Sequence, residues 1–197
     1  VDTDMSAGLY RIVRSEKNRF GAADEVGIFE MTERGMTDVH NPSEVFIAQR
    51  DHTAFGTVIF PSLEGTRPLL LEVQALVSPT TFGTGRRSAI GWDANRLNML
   101  LATISARLGL AFADNDVYVN VAGGMKVTDP AMDLAVAAAI LSARAQVALP
   151  STLAVFGEVG LAGEVRNSSR AEARIKEASH LGLTEILCPK MRDTSHL

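Results

Sequence analysis

The sequence predicts an α/β (α+β) domain of about 140 residues with mixed sheets and about three main helices, preceded by a β-rich stretch of about 50 residues. Three observations lead there. Apolar runs of strand length recur between turn signals, and three segments combine helical apolar spacing with capping residues. From about residue 54 these elements follow the order strands, helix, strand, helix, strands, helix, strand.

Residues 1–50 read as short strands and turns. Leu9 to Val13 and Val26 to Phe29 are strand-like, and Gly21, Gly35 and Asn41-Pro42 punctuate them. Helical periodicity is missing, so this stretch reads as a tail end or linker. Phe55 to Phe60 and Leu69 to Val77 are β-rich apolar runs joined by the hairpin loop Ser62-Leu63-Glu64-Gly65-Thr66. A loop is expected over 78–91, containing Pro79, glycines and Arg86-Arg87. Asp93 caps the first helix; Leu97, Leu100, Leu101, Ile104 and Leu108 form its apolar face, and Gly109 ends it. Val117 to Val121 alternates as a strand and runs into Gly123-Gly124.

Asp129-Pro130 opens the second helix, with Asp as cap and Pro at the first helical position. Apart from Asp133, residues 130–141 are apolar all round, which predicts a buried central helix. Leu153 to Phe156 and Leu161 to Val165 read as strands around a glycine-rich turn. A capping box, Ser169-Arg170-Ala171-Glu172, predicts the third helix. Ala171, Ile175, Ala178 and Leu181 face inward there, Glu172 and Lys176 pair at i,i+4, and Gly182 ends it. Glu185 to Cys188 is a last strand, with Cys188 in the core.

Composition narrows the function classes. The chain is 46% hydrophobic and 21% charged, and no apolar stretch has the length of a membrane span. Neither a secretory signal nor a membrane partner is expected, and a cytoplasmic location fits. With one cysteine an intrachain disulfide is impossible, and His40, His52, His180 and His196 are too scattered for a metal site. The net charge of −4 argues against a general nucleic-acid binder, yet two segments are locally basic. Residues 9–19 hold Arg11, Arg14, Lys17 and Arg19 against Glu16, and residues 83–108 hold Arg86, Arg87, Arg96 and Arg107 against Asp93. Either segment can also be read as ordinary solvated charge.

The sharpest motif is Lys17-Asn18-Arg19-Phe20-Gly21. Cations at alternate positions of a strand point the same way, so Lys17 and Arg19 could grip one phosphate; an exposed strand end is the plainer alternative. The pentapeptide and the following Asp24-Glu25-Val26-Gly27-Ile28-Phe29-Glu30-Met31 resemble the signature that joins the ATPase core to the C-terminal domain in the bacterial RadA (Sms) family of DNA-repair proteins. Further matches are Glu72-Val73-Gln74-Ala75-Leu76-Val77, Arg86-Arg87, Asn95-Arg96-Leu97, Asp116-Val117-Tyr118-Val119-Asn120-Val121-Ala122-Gly123-Gly124 and Asp133-Leu134-Ala135-Val136-Ala137. They run in order over nearly the whole chain.

The resemblance implies a C-terminal part: residues 1–50 as the end of a RecA-like ATPase core and linker, residues 51–197 as a Lon-protease-like domain. ATP, Mg and Zn are expected of the full-length protein but not of this chain, which has no G-x-x-x-x-G-K-[ST] string and no paired cysteines. Lys17 and Arg19 would act on the nucleotide of a neighbouring subunit in a hexameric ring. Lon uses a serine nucleophile and a lysine base; the matching positions here are Ala131, which has no nucleophilic atom, and Arg174, which stays protonated. Peptidase activity is therefore not expected.

Arg86 and Arg87, with Arg96 on the adjoining helix, are the candidate DNA contacts, and packing against a neighbouring subunit is their alternative role. Asp133 reads as a structural carboxylate at a helix start. The reading implied is a non-proteolytic scaffold and DNA-binding module of a ring-shaped, ATP-dependent branch-migration helicase, with the recombinase and other recombination proteins as partners. The rivals are an oligomerisation domain without DNA contact and a working Ser-Lys peptidase.

Overall fold

The computed structural model describes residues 2–7, 10–14, 26–47, 50–81 and 83–190. The first stretch is more ordered than its sequence suggests. Strands β1 (Asp2–Ala7), β2 (Tyr10–Arg14), β3 (Val26–Thr32) and β4 (Gly35–Asp38) form an antiparallel meander in that order. A six-residue helix, α1 (Pro42–Ile47), follows it. Ile28 of β3 and Phe46 of α1 belong to the main buried cluster of the molecule. The Tyr10 ring meets Phe46 edge-on at 5.2 Å. Lys17-Asn18-Arg19-Phe20-Gly21, between β2 and β3 in the sequence, lies outside the described residues.

The rest is built on one mixed sheet. Its strands are β5 (Thr57–Glu64), β6 (Arg67–Pro79), β7 (Arg87–Ile90), β8 (Asn115–Val121), β9 (Leu153–Val155) and β12 (Glu185–Leu187), in spatial order β12-β9-β5-β6-β8-β7. The pairs β12/β9, β9/β5 and β8/β7 are parallel; β5/β6 and β6/β8 are antiparallel. The β5–β6 hairpin is tighter than its sequence suggests. Glu64 pairs with Arg67, so only Gly65 and Thr66 make the turn, and Gly65 supplies a positive φ of 57°. Instead of an uninterrupted loop over 78–91, the structure places β7 at the sheet edge. Gly91 ends it with φ 78°, where a Cβ would stand 2.4 Å from the Met125 carbonyl oxygen.

Helix α2 (Ala94–Leu108) is capped by Asp93, whose side chain accepts from the Arg96 N–H, and is closed by left-handed Gly109. Leu97, Leu100, Leu101 and Ile104 are buried as their spacing predicts, whereas Leu108, the last residue of the helix, is 57% exposed. Asp129 caps a 3-10 turn, Pro130–Met132, and the α-helix proper, α3 (Asp133–Ala145), starts one turn later than the sequence suggests. Together α2 and α3 cover one face of the sheet. On the other face α1 and α4 (Ala171–His180) pack over Ile59 and Leu70. Ser43 Oγ stitches that face together, accepting from the Leu70 N–H at 3.0 Å and donating to Glu177 at 2.8 Å.

Three local expectations fail. Ser169 does not cap α4: Arg170 occupies the cap position in the left-handed region (φ 52°), and the Ser169 carbonyl instead accepts from Arg174 Nε at 3.1 Å. The tertiary claim of Arg174 overrides the local pattern. The second is the strand from Leu161 to Val165. The strands there are β10 (Glu158–Val159) and β11 (Val165–Arg166), and Leu161 sits in the turn between them, 70% exposed. Glu172 and Lys176 form no ion pair; both are exposed, where such a pair gains little.

Candidate functional site

The fold brings two groups of sequence-selected residues into defined surroundings. The first centres on Ala131 and Arg174. Arg174 reaches from α4 beneath the end of β5 and is fully buried, with its guanidinium 5.7 Å from the Phe60 ring centroid and 5.8 Å from that of Phe156. It donates to the Pro61 carbonyl at 2.6 Å and to the Ser169 carbonyl at 3.1 Å, and pairs with Asp129 Oδ2. Asp129 Oδ1 accepts from the Ala131 N–H at 2.9 Å, and the Ala131 carbonyl accepts from the Gly157 N–H at 2.7 Å. One aspartate thus links the alanine to the arginine. A methyl group cannot attack a carbonyl, and a guanidinium held by two carbonyls and a carboxylate cannot serve as a base. The arrangement is a buried clamp without a nucleophile.

The second group lies around β7 and the start of α2. Arg87 is half-buried, and its guanidinium donates to the Phe112 carbonyl at 2.6 Å, to the Arg86 carbonyl at 2.8 Å and to the Asn115 carbonyl. Thr80 and Gly85 N–H groups bond to the carbonyls of Asp114 (2.9 Å) and Ala113 (3.3 Å), and the Arg86 N–H bonds to Asp116 Oδ1 at 2.8 Å. That hydrogen bond holds the Asp116 carboxyl below its ordinary pKa. The basic loop is therefore strapped to residues 112–116, with the Arg86 side chain exposed.

Arg96 has a different commitment. Its guanidinium is bidentate to Asp133, Nε to Oδ1 at 2.5 Å and Nη2 to Oδ2 at 2.6 Å, and Asp133 also accepts from the Val159 N–H at 3.0 Å. The Asp133 side chain is 3% exposed. Burial pushes its carboxyl above the ordinary range, against the opposing pull of Arg96 and the Val159 N–H. Asp133 starts α3, whereas Arg144 near its end bonds to Asn115 Oδ1 at 2.8 Å, beside Arg87. Eleven residues of helix separate the two ends, roughly 16 Å. The structure therefore does not gather Arg86, Arg87 and Arg96 into one cluster.

Arg144, which sequence reasoning passed over, joins the Arg87 end and stands 4.9 Å from the Phe112 ring. No local signal marked it. Lys17 and Arg19 lie outside the described residues. Among the described residues no group of three or more His, Cys, Asp or Glu side chains could hold a metal ion, and no helix is long and apolar enough to cross a membrane. The His40 ring meets the Asp38 carboxylate at 2.8 Å and its carbonyl accepts from Arg67 at 3.1 Å, and Cys188 is half-buried against the core, its thiol pKa raised by burial.

Residues 87–192, from β7 to beyond β12, match the family described as subunit ChlI of Mg-chelatase, so the greater part of the mixed-sheet unit is a domain of that class. The chain is 50% identical over 187 residues to the DNA repair protein RadA of Rickettsia typhi, covering 95% of this chain and 42% of that protein. It is 49% identical over 180 residues to RadA of Brucella abortus (91% of this chain, 38% of that protein) and 48% identical over 180 residues to RadA of Bacillus subtilis (91% and 39%). The chain belongs to the RadA family and corresponds to its C-terminal part, as the resemblance implies. It spans about two-fifths of the length of the curated relatives it matches.

Proposed function

We propose that the chain is a non-proteolytic scaffold and DNA-binding module of a hexameric, ATP-dependent helicase for branch migration in recombination and repair. In this reading residues 51–197 are a Lon-protease-like domain and residues 1–50 the end of the ATPase core. The observation that carries it is the clamp at Arg174. The positions that would hold a serine–lysine pair hold instead a buried alanine and an arginine tied to Pro61, Ser169 and Asp129. Such a site positions chain segments and performs no acyl transfer. The family name supports a role in DNA repair.

ATP and Mg would be used by the rest of the full-length protein, and Zn held there, because this chain has neither a phosphate-binding glycine-rich loop nor a second cysteine. Lys17 and Arg19 would reach the nucleotide of the neighbouring subunit. DNA is the proposed ligand of the basic loop, through backbone phosphates and without sequence preference. Recombinase and other recombination proteins are further proposed partners, and the cytoplasm is the proposed location.

A pure oligomerisation domain is the second reading, favoured by one observation. Arg87 is committed to carbonyls and Arg96 to Asp133, which leaves Arg86 as the exposed member of the three. Fluorescence anisotropy with labelled DNA, comparing the 197-residue chain with Arg86→Ala, separates the two. Weakened binding in the variant supports the DNA-contacting module. Unchanged binding removes the basic loop from the DNA path, and absence of binding in both leaves the oligomerisation reading.

A further inference from the structure

Along β5 the face toward α2 and α3 presents Val58, Phe60, Ser62 and Glu64 at alternate positions. Val58 and Phe60 are core; at Ser62 the same face turns polar. It becomes the floor of a pocket of about 280 Å³ whose lining is almost entirely polar. Its three walls are the end of β5 with its turn (62–65), the segment 126–129, and Ser169 with Arg170 ahead of α4. A single side chain fixes all three. Arg174 bonds to Pro61 beside the first wall, to Asp129 in the second and to Ser169 in the third. The pocket is thus part of the folded architecture and not a chance surface hollow.

Its polar groups decide what fits. Both oxygens of Asp129 are engaged, one by Arg174 and the other by the Ala131 N–H. Glu64, buried, also has an interaction of its own. Ser62 Oγ is different: the residue is 1% exposed and its hydroxyl has no hydrogen-bond partner. A buried hydroxyl without a partner is unfavourable. Lys126 and Arg170 stand exposed at the walls with no ion pair among the described residues, Arg170 making only a 3.5 Å bond to the Thr66 carbonyl. What remains unspent in the pocket is two cations and the hydroxyls of Ser62, Thr128 and Ser169. That set is complementary to an oxyanion, whose oxygens take charge-assisted hydrogen bonds from ammonium, guanidinium and hydroxyl donors.

We propose that this pocket binds a phosphate-type oxyanion, with Lys126 and Arg170 as the charged contacts and Ser62 as a buried donor. The carboxylates of Asp129 and Glu64 restrain its affinity. Inorganic phosphate and a phosphodiester of a nucleic-acid backbone present the same oxygens, and either source suits the donors.

The test is thermal unfolding of the 197-residue chain in rising sodium phosphate at pH 7, with sodium chloride holding ionic strength constant. It is run beside Ser62→Ala and a double variant, Lys126→Ala with Arg170→Gly, the glycine suiting the left-handed backbone at Arg170. At about ten times the dissociation constant the wild type rises by roughly 3–6 °C. The double variant gains less than about 1 °C over the same range, and Ser62→Ala responds more weakly than wild type. No rise in the wild type, or an equal rise in the double variant, overturns the proposal; an equal rise is general salt stabilisation. A labelled thymidine oligonucleotide then identifies the source. Binding that phosphate competes away and that the double variant loses assigns the pocket to a nucleic-acid backbone. Intact oligonucleotide binding alongside the lost phosphate response assigns it to free phosphate.

Discussion

Replacing Arg174 with Met tests whether the buried clamp holds the domain together. Methionine keeps an aliphatic stem between Phe60 and Phe156 but removes every donor. The Pro61 and Ser169 carbonyls lose their Arg174 bonds, and Asp129 keeps its charge without its partner. Losing one partner of a buried pair costs about 3–5 kcal/mol. The low end applies, because the Asp129 side chain is 21% exposed and water screens part of the loss. About 3 kcal/mol corresponds to a fall in Tm of roughly 6–12 °C for a chain of this size. Urea denaturation measures the loss as a shift in midpoint at unchanged slope. Adding Asp129→Asn should recover about 0.5–3 kcal/mol as coupling, since the uncompensated charge disappears while the Ala131 N–H keeps its acceptor. A loss below about 1 kcal/mol in the single variant would show that the pair is solvated and the clamp reasoning wrong.

Three further outcomes follow from the same contacts. Arg87→Ala should cost roughly 2–3 kcal/mol in urea denaturation because three carbonyl contacts go, whereas Arg86→Ala stays within about 0.5 kcal/mol; equal effects would contradict the assignment of one arginine to the fold and the other to the surface. The Asp116 carboxyl has a lowered folded pKa, so its support of the Arg86 amide is complete above the ordinary aspartate value of about 3.9 and fades as pH falls through the lower folded value. The Arg86 amide resonance should therefore titrate with a midpoint below that value, and a midpoint at or above it refutes the hydrogen bond. Gly91→Ala should lower stability by about 1–3 kcal/mol in thermal unfolding, given φ 78° and the approach to the Met125 carbonyl; a neutral result would mean that the turn after β7 relaxes freely.

Much of the fold was legible because local and tertiary signals agreed. Asp93 and Gly109 bracket α2 as their residue types dictate, and the apolar circumference of α3 is buried against the sheet. Where they disagreed, the sequence misled. The capping-box pattern at Ser169 is satisfied on paper, but Arg174 takes the Ser169 carbonyl and Arg170 turns left-handed. The strand β7 reads Arg-Ser-Ala-Ile and lacks an apolar run, since an edge strand needs little burial. In the meander, β2 and β3 answer to the strand-like runs at Leu9 to Val13 and Val26 to Phe29, whereas β1 and β4 escaped notice, β4 being short and exposed throughout.

The candidate site was less legible. Ala131 and Arg174 were chosen by resemblance, and nothing in their spacing announced that Asp129 bridges them. Arg96 looked available because the pairing carboxylate, Asp133, lies 37 residues further along the chain. Only the packing of α2 beside α3 brings the two together. The odd charge in an apolar helix was the one visible hint of a buried partner.

The most direct measurement of the proposed role is an anisotropy titration of the 197-residue chain with single- and double-stranded DNA across a salt series, its mass in solution followed alongside. The account predicts binding that weakens linearly in log affinity against log salt, with a slope that shrinks by about 0.9 on duplex DNA for each phosphate contact removed. A folded, self-associated chain that binds no DNA even at low salt would contradict it and leave an assembly domain alone.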